Sequence, residues 1–215
     1  MKRHDTGGYL GFYGLTDWWN SEFSNSEKET ILKRYIPFSL GEPNKQPLIF
    51  GNITNTSQSK VHFLYTLSSW FKSKEYIDIA LKIISKAESE VDSNTEILDL
   101  HFLHSTQVEM YYKLRDFDSK YLNMAIEACI FQIELAPQAK IAFEKVYVGP
   151  LPRHKGYEQL SIIYEKNKQY KEAIMICKQA FDQKWSGDWK KRIERCKNKL
   201  DKIITNDSLI VKCSS

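Results

Sequence analysis

The sequence predicts an all-α protein: an array of about three helical hairpins, a C-terminal capping helix, and an aromatic-rich region ahead of them. Three observations predict it. From Ser57 onward, apolar residues recur at the roughly 3.6-residue spacing of amphipathic helices. No stretch alternates apolar and polar residues for long enough to build a sheet. The residues that interrupt helices gather at the front, where six of the nine glycines lie with Pro37, Pro43 and Pro47.

Residues 1–56 are expected to be irregular, with Tyr9, Phe12, Tyr13, Trp18, Trp19 and Phe23 supplying apolar bulk and Gly7-Gly8 and Gly11 to Gly14 forming turns. Ser24-Asn25-Ser26-Glu27 reads as a capping box that opens a helix to about Tyr35. Pro37 ends it. Pro43 and Pro47 keep the linker extended, with a short strand expected at Leu48 to Phe50. Next, Val61, Leu64, Tyr65, Ser68 and Phe71 share one helical face, and Tyr76, Ile79, Ala80, Ile83, Ile84 and Ala87 share another. Ser93-Asn94-Thr95-Glu96 reads as a second capping box, starting a helix to about Leu114. Leu122 to Leu135 follows and stops at Pro137, a short helix spans Ala139 to Val146, and Gly149-Pro150 and Pro152 break the chain. Gly156 to Trp185 then holds two helices around the hinge Lys166-Asn167-Lys168-Gln169. A last helix runs from about Asp188 to Ile203, with Trp189, Ile193, Cys196, Leu200 and Ile203 on one face, and 204–215 is read as a flexible tail.

Within that last hairpin, Tyr157, Leu160, Ser161, Tyr164, Tyr170, Ala173, Cys177 and Ala180 fall at the spacing of a tetratricopeptide repeat, which the segment closely resembles. The departures are Tyr157 for the usual Trp, Ser161 for a smaller residue, Lys168 for the hinge Gly and Cys177 for an aromatic. Phe63 to Glu88 and His101 to Leu135 resemble weaker copies, the second carrying an insertion around Arg115 to Tyr121. Aligned on Ala80, Ala125 and Ala173, the copies stand 45 and 48 residues apart, against about 34 in the regular repeat. The resemblance therefore implies a short, irregular TPR-like solenoid over 57–203, with 1–56 as a capping region. The segment Gly14-Leu15-Thr16-Asp17-Trp18-Trp19, combined with the GDWKKRIERC-like final helix, resembles a bacterial and phage group to which no activity is attached.

The repeats imply a concave groove lined by the first helix of each hairpin. Carried onto this chain, the groove positions are Lys155, Glu158, Gln159, Ile162 and Lys166, with His104, Gln107 and Tyr111 from the hairpin before. A peptide or helical segment of another protein is the partner they imply. A clamp for a terminal carboxylate is not expected, because Gln159, Leu64 and Gln107 stand where such a clamp has Arg, Lys and Asn.

Composition bounds the alternatives. The 31 basic and 27 acidic residues leave a net charge of +4, too little to demand a polyanionic partner. Charge is nonetheless concentrated, since Lys184 to Lys202 holds eight basic residues against three acidic ones. Lys190, Lys191, Arg192 and Arg195 beside Trp185 and Trp189 therefore make a second reading, a regulator that binds nucleic acid through the final helix. A third is self-assembly through exposed solenoid ends. The N-terminal segment has no apolar core of a signal peptide, and no apolar run reaches the ~18 residues of a membrane span, so a cytoplasmic, non-membrane protein is expected. Cys129, Cys177, Cys196 and Cys213 are widely spaced and read as free thiols. His101 and His104, one turn apart, could meet a metal only with His154 or Asp99, and no HExxH or paired Cys supports that. Without GxGxxG, GxxxxGK[ST] or GxSxG, neither enzymatic activity nor a cofactor is expected.

Overall fold

The computed structural model describes residues 7–37 and 46–213. Among them are eleven α-helices and no strand, so the all-α expectation holds. The chain divides into two compact units, Met1–Thr95 and Glu96–Ser215; the boundary expected near residue 56 falls inside the first.

The first unit contains α1 (Gly8–Phe12), α2 (Thr16–Glu22), α3 (Asn25–Arg34), α4 (Lys60–Ser68) and α5 (Ile77–Ser89). The Ser24 capping box forms with both reciprocal bonds, and α3 ends ahead of Pro37 as expected. The strand expected at Leu48 to Phe50 does not form. Those residues lie in turns, and the carbonyls of Pro47, Leu48 and Gly51 instead accept the N–H groups of Tyr9, Leu10 and Gly8 at 2.7–3.0 Å. This satisfies the free first-turn donors of α1, so residues whose glycines predict turns form a short helix instead. Gly8 is obligatory there: its φ is +60°, and any Cβ would collide with the Pro47 carbonyl. The aromatics of the N-terminal region pack onto α4 and α5. Tyr9 and Tyr13 stack on Phe63 at 5.3 and 4.9 Å, and Lys82 of α5 lies 5.5 Å from the Phe23 ring while bonding Glu27 at 2.7 Å. Trp19 and Phe23 are buried.

The second unit contains α6 (Ile97–Leu114), α7 (Ser119–Glu134), α8 (Ala136–Val146), α9 (Lys155–Lys166), α10 (Tyr170–Asp182) and α11 (Trp189–Cys213). Helix α6 pairs with α7, α9 packs on both, α10 pairs with α9, and α11 covers α10. The second capping box does not form. Asp92 accepts from Asn94 N–H and Thr95 Oγ1, so these side chains close a turn of their own and α6 begins only after Glu96. Nor does Pro137 end a helical stretch. It sits in the first turn of α8, where its missing N–H costs nothing, and Leu135 serves as the last cap of α7 and the first of α8. Helix α11 continues past Ile203.

Close approach of helices needs small residues, and Ser161, Ala173 and Ala180 are all buried. Gly156 brings α9 onto α7: a Cβ there would stand 2.9 Å from both the Cys129 carbonyl and Gln132 Oε1. Lys168 occupies the hinge with φ 61°, the left-handed geometry that favours the glycine of a regular repeat. Cys129, Cys177 and Cys196 are free and buried, and burial pushes the first two thiols up to about 12 and about 11.

Candidate functional site

The groove positions read from the sequence all lie in the second unit, on α6 and α9, which are packed together. Helix α9 splits cleanly. Gly156, Tyr157, Leu160, Ser161 and Ile163 are buried, whereas Lys155, Glu158, Gln159 and Ile162 are half-buried and Lys166 is exposed. The accessible set recurs at helical spacing along one side. Glu158 takes a two-pronged contact from Arg153, at 2.6 Å to Nε and 2.5 Å to the terminal nitrogen. Lys166 Nζ donates to Tyr112 Oη at 3.0 Å. Gln159 is amphibious: its side chain reaches solvent, yet its Nε2 is buried without a hydrogen-bond partner.

The α6 positions behave differently. His104 is half-buried, with Nδ1 held 2.7 Å from Gln107 Oε1 and its ring stacked on Phe131 of α7 at 5.6 Å. Gln107 and Tyr111 are buried, and Tyr111 stacks on Tyr121 at 6.4 Å. Tyr111 thus turns towards α7 and Gln107 is held by His104, and neither joins the accessible face.

The basic helix α11 is largely tied down. Arg195 and Lys199 both reach Glu165 of α9, with Arg195 contacting both carboxylate oxygens at 2.8 and 2.6 Å and Lys199 one of them at 2.7 Å. Arg192 bonds Asp188 at 2.6 Å, and Lys190 lies 5.0 Å from the Phe181 ring. Lys191 is exposed beside a 360 Å³ depression shared with Glu194, Arg195, Asn198, Lys199 and Lys202. Trp185 and Trp189 are each 2% exposed, so neither offers a ring for a base to stack on.

Hydrogen bonding to Arg195, with Lys199 adding to it, holds the Glu165 carboxyl down at about 2. A carboxyl whose folded value lies below its unfolded one stabilises the fold above about pH 4.5, and this contribution is lost as pH falls toward 2. Both cations are about half exposed, so screening limits the gain. Glu165→Gln is expected to cost about 1 kcal/mol at neutral pH, and less in high salt, by urea denaturation.

The histidines weighed as metal ligands meet only in part. His101 and His154 are buried with ring centroids 5.0 Å apart, while His104 turns to Gln107. Among the described residues no group of three His, Cys, Asp or Glu side chains converges as a metal site needs. Gln132 and Glu165 leave no local pattern in the sequence, because their partners lie on other helices; Arg153 pairs only five residues ahead, but from outside α9, where helical spacing gives no signal. The chain matches no protein-family model, no curated protein and no solved structure.

Proposed function

We propose that this chain is a non-catalytic scaffold, a short TPR-like array whose α9 face binds a peptide or helical segment of another protein. The observation that carries the reading is the division of α9 into a buried side and an accessible one where Ile162 lies among Lys155, Glu158, Gln159 and Lys166. An apolar residue rimmed by charges of both signs suits an amphipathic segment, which buries its own apolar face there and pairs its polar edge. The succession of paired helices, α6 with α7 and α9 with α10, supports the array. Gln107 then holds the His104 ring, and neither it nor the buried Tyr111 is touched by the partner.

The test is capture from nuclease-treated host lysate by the tagged chain and by a variant carrying Lys155→Ala, Gln159→Ala and Ile162→Ala. A discrete protein held by the parent and lost at least tenfold by the variant, with helix content unchanged, is expected. Equal retention by both, or recovery of nucleic acid alone from untreated lysate, would remove the reading. In the second case Lys190, Lys191, Arg192 and Arg195 on α11 become the site, binding phosphates without base stacking.

A further inference from the structure

Gln132 of α7 is completely buried and joins three elements. Its Oε1 accepts the Gly156 N–H of α9 at 2.6 Å, and its Nε2 donates to the His101 carbonyl of α6 at 3.0 Å. Because Gly156 offers only a donor, the amide has one workable orientation, and its NH₂ group must face His101 Nε2, 3.4 Å away. His101 Nε2 is therefore a lone pair, and the ring proton sits on Nδ1.

His154 is fixed in the same way from the other side. It caps α9, with Nδ1 accepting the Tyr157 N–H at 3.4 Å, so its proton sits on Nε2. Neither His101 Nδ1 nor His154 Nε2 has a hydrogen-bond partner. Trp185 closes over both rings, at 5.7 Å from His101 and 4.7 Å from His154. On each ring, the nitrogen that would take up a proton already faces an N–H donor. A second proton would set donor against donor, and the Gln132 amide cannot flip to relieve it without opposing the Gly156 N–H and the His101 carbonyl.

We propose that His101 and His154 form a proton-operated latch, which holds the start of α9 and the Trp185 segment against α6 and α7 when neutral and releases them when protonated. The latch does not depend on the partner-binding reading above. The surroundings offer little to offset a new charge. From α6 come Asp99, buried on the same helix, and His104, whose own charge would oppose that of His101. From α7 come the neutral Gln132 side chain and its backbone carbonyl, which together with the carbonyl of His154 itself favours a charged His154 ring, but less than burial and His101 disfavour it; from α8 comes Phe143 and from α9 Tyr157, while Arg153 ahead of α9 is paired with Glu158. Burial, reinforced by their neighbouring histidines, lowers His101 to about 4 and His154 to about 3.

The sign follows from proton uptake. Each ring binds its proton in the open state below roughly pH 6.5 and in the closed state only near its depressed value, so acid favours opening. Each histidine contributes up to about tenfold per pH unit in the opening equilibrium, and the pair about 100-fold.

Amide hydrogen exchange of the full chain, followed through the first turn of α9 from pH 7.5 to 4.5 and corrected for intrinsic rates, reads that slope. His154→Asn keeps a capping side chain but cannot titrate. The expected result is a slope near 100-fold per unit for the parent below about pH 6, falling to about tenfold in the variant. Equal slopes would overturn the latch. Should the variant not fold, ring ¹³C NMR of the parent decides alone. Both rings staying neutral at pH 5 while α9 remains protected supports the latch, and titration of either near pH 6.5 in the closed protein overturns it.

Discussion

Replacing Trp185 by Ala is expected to lower the unfolding free energy of the second unit by about 3–5 kcal/mol, the range for deleting a large buried aromatic. The indole is 2% exposed and packs on His101, His154 and Phe143, the last at 5.9 Å edge to face. Its backbone carbonyl also accepts the indole N–H of Trp189 at 2.6 Å, fixing the start of α11. Removing the ring admits water to both imidazoles, so His101 and His154 should rise toward the ordinary histidine range, and the stability lost on acidification should shrink. Denaturant unfolding at pH 7.5 and 5.5 measures both effects. Because the chain has two compact units, the transition of the second must be followed on its own, by α9 and α10 amides, and not by total helix signal.

Gln132→Leu tests the polar side of the same joint. Leucine fills most of the volume, so the expected loss comes mainly from unmet hydrogen bonds. The Gly156 N–H, in the first turn of α9, has no partner within its own helix, and the His101 Nε2 acceptor loses its donor. At about 1–3 kcal/mol for each buried group left unmet, a destabilisation of about 2–4 kcal/mol is expected, with exchange at Gly156 and Tyr157 accelerated well before that of α10. A loss below about 0.5 kcal/mol would show that α9 is held by its apolar side alone. Gln132→Ala would be a poorer test, since a cavity adds its own cost.

Much of the helical content could be read from the chain because the relevant physics is local. Ser24 and Glu27 cap α3 within one turn, and Ile79, Ala80, Ile83, Ile84 and Ala87, which share one face of α5, all become buried. Local patterns misled where two local solutions competed. Ser93 to Glu96 has the composition of a capping box, yet Asp92 captures Asn94 and Thr95 first. Pro137 carries the signal of a helix end and equally that of a helix start, and with Ala136 entering α8 directly the second wins. Leu48 to Phe50 has strand composition but no partner strand, so its neighbouring backbone carbonyls serve α1.

The candidate site was legible only along α9. Lys155, Glu158, Gln159, Ile162 and Lys166 lie within one helix, and helical spacing alone puts them on one side. The same spacing could not say which side of α6 faces α7, and so it could not foresee that Gln107 and Tyr111 are buried.

What the sequence by itself determined is the helices from α3 onward, though not the short α1 and α2, the small residues where helices touch, and the accessible row on α9, all of which follow from contacts a few residues apart. Only the tertiary structure decided the joint of His101, Gln132, His154 and Trp185 and the grip of Arg195 and Lys199 on Glu165. These groups reach partners 24 to 34 residues away on separate helices. Their chemistry comes from burial and from which donor meets which acceptor, and both exist only once the helices have packed.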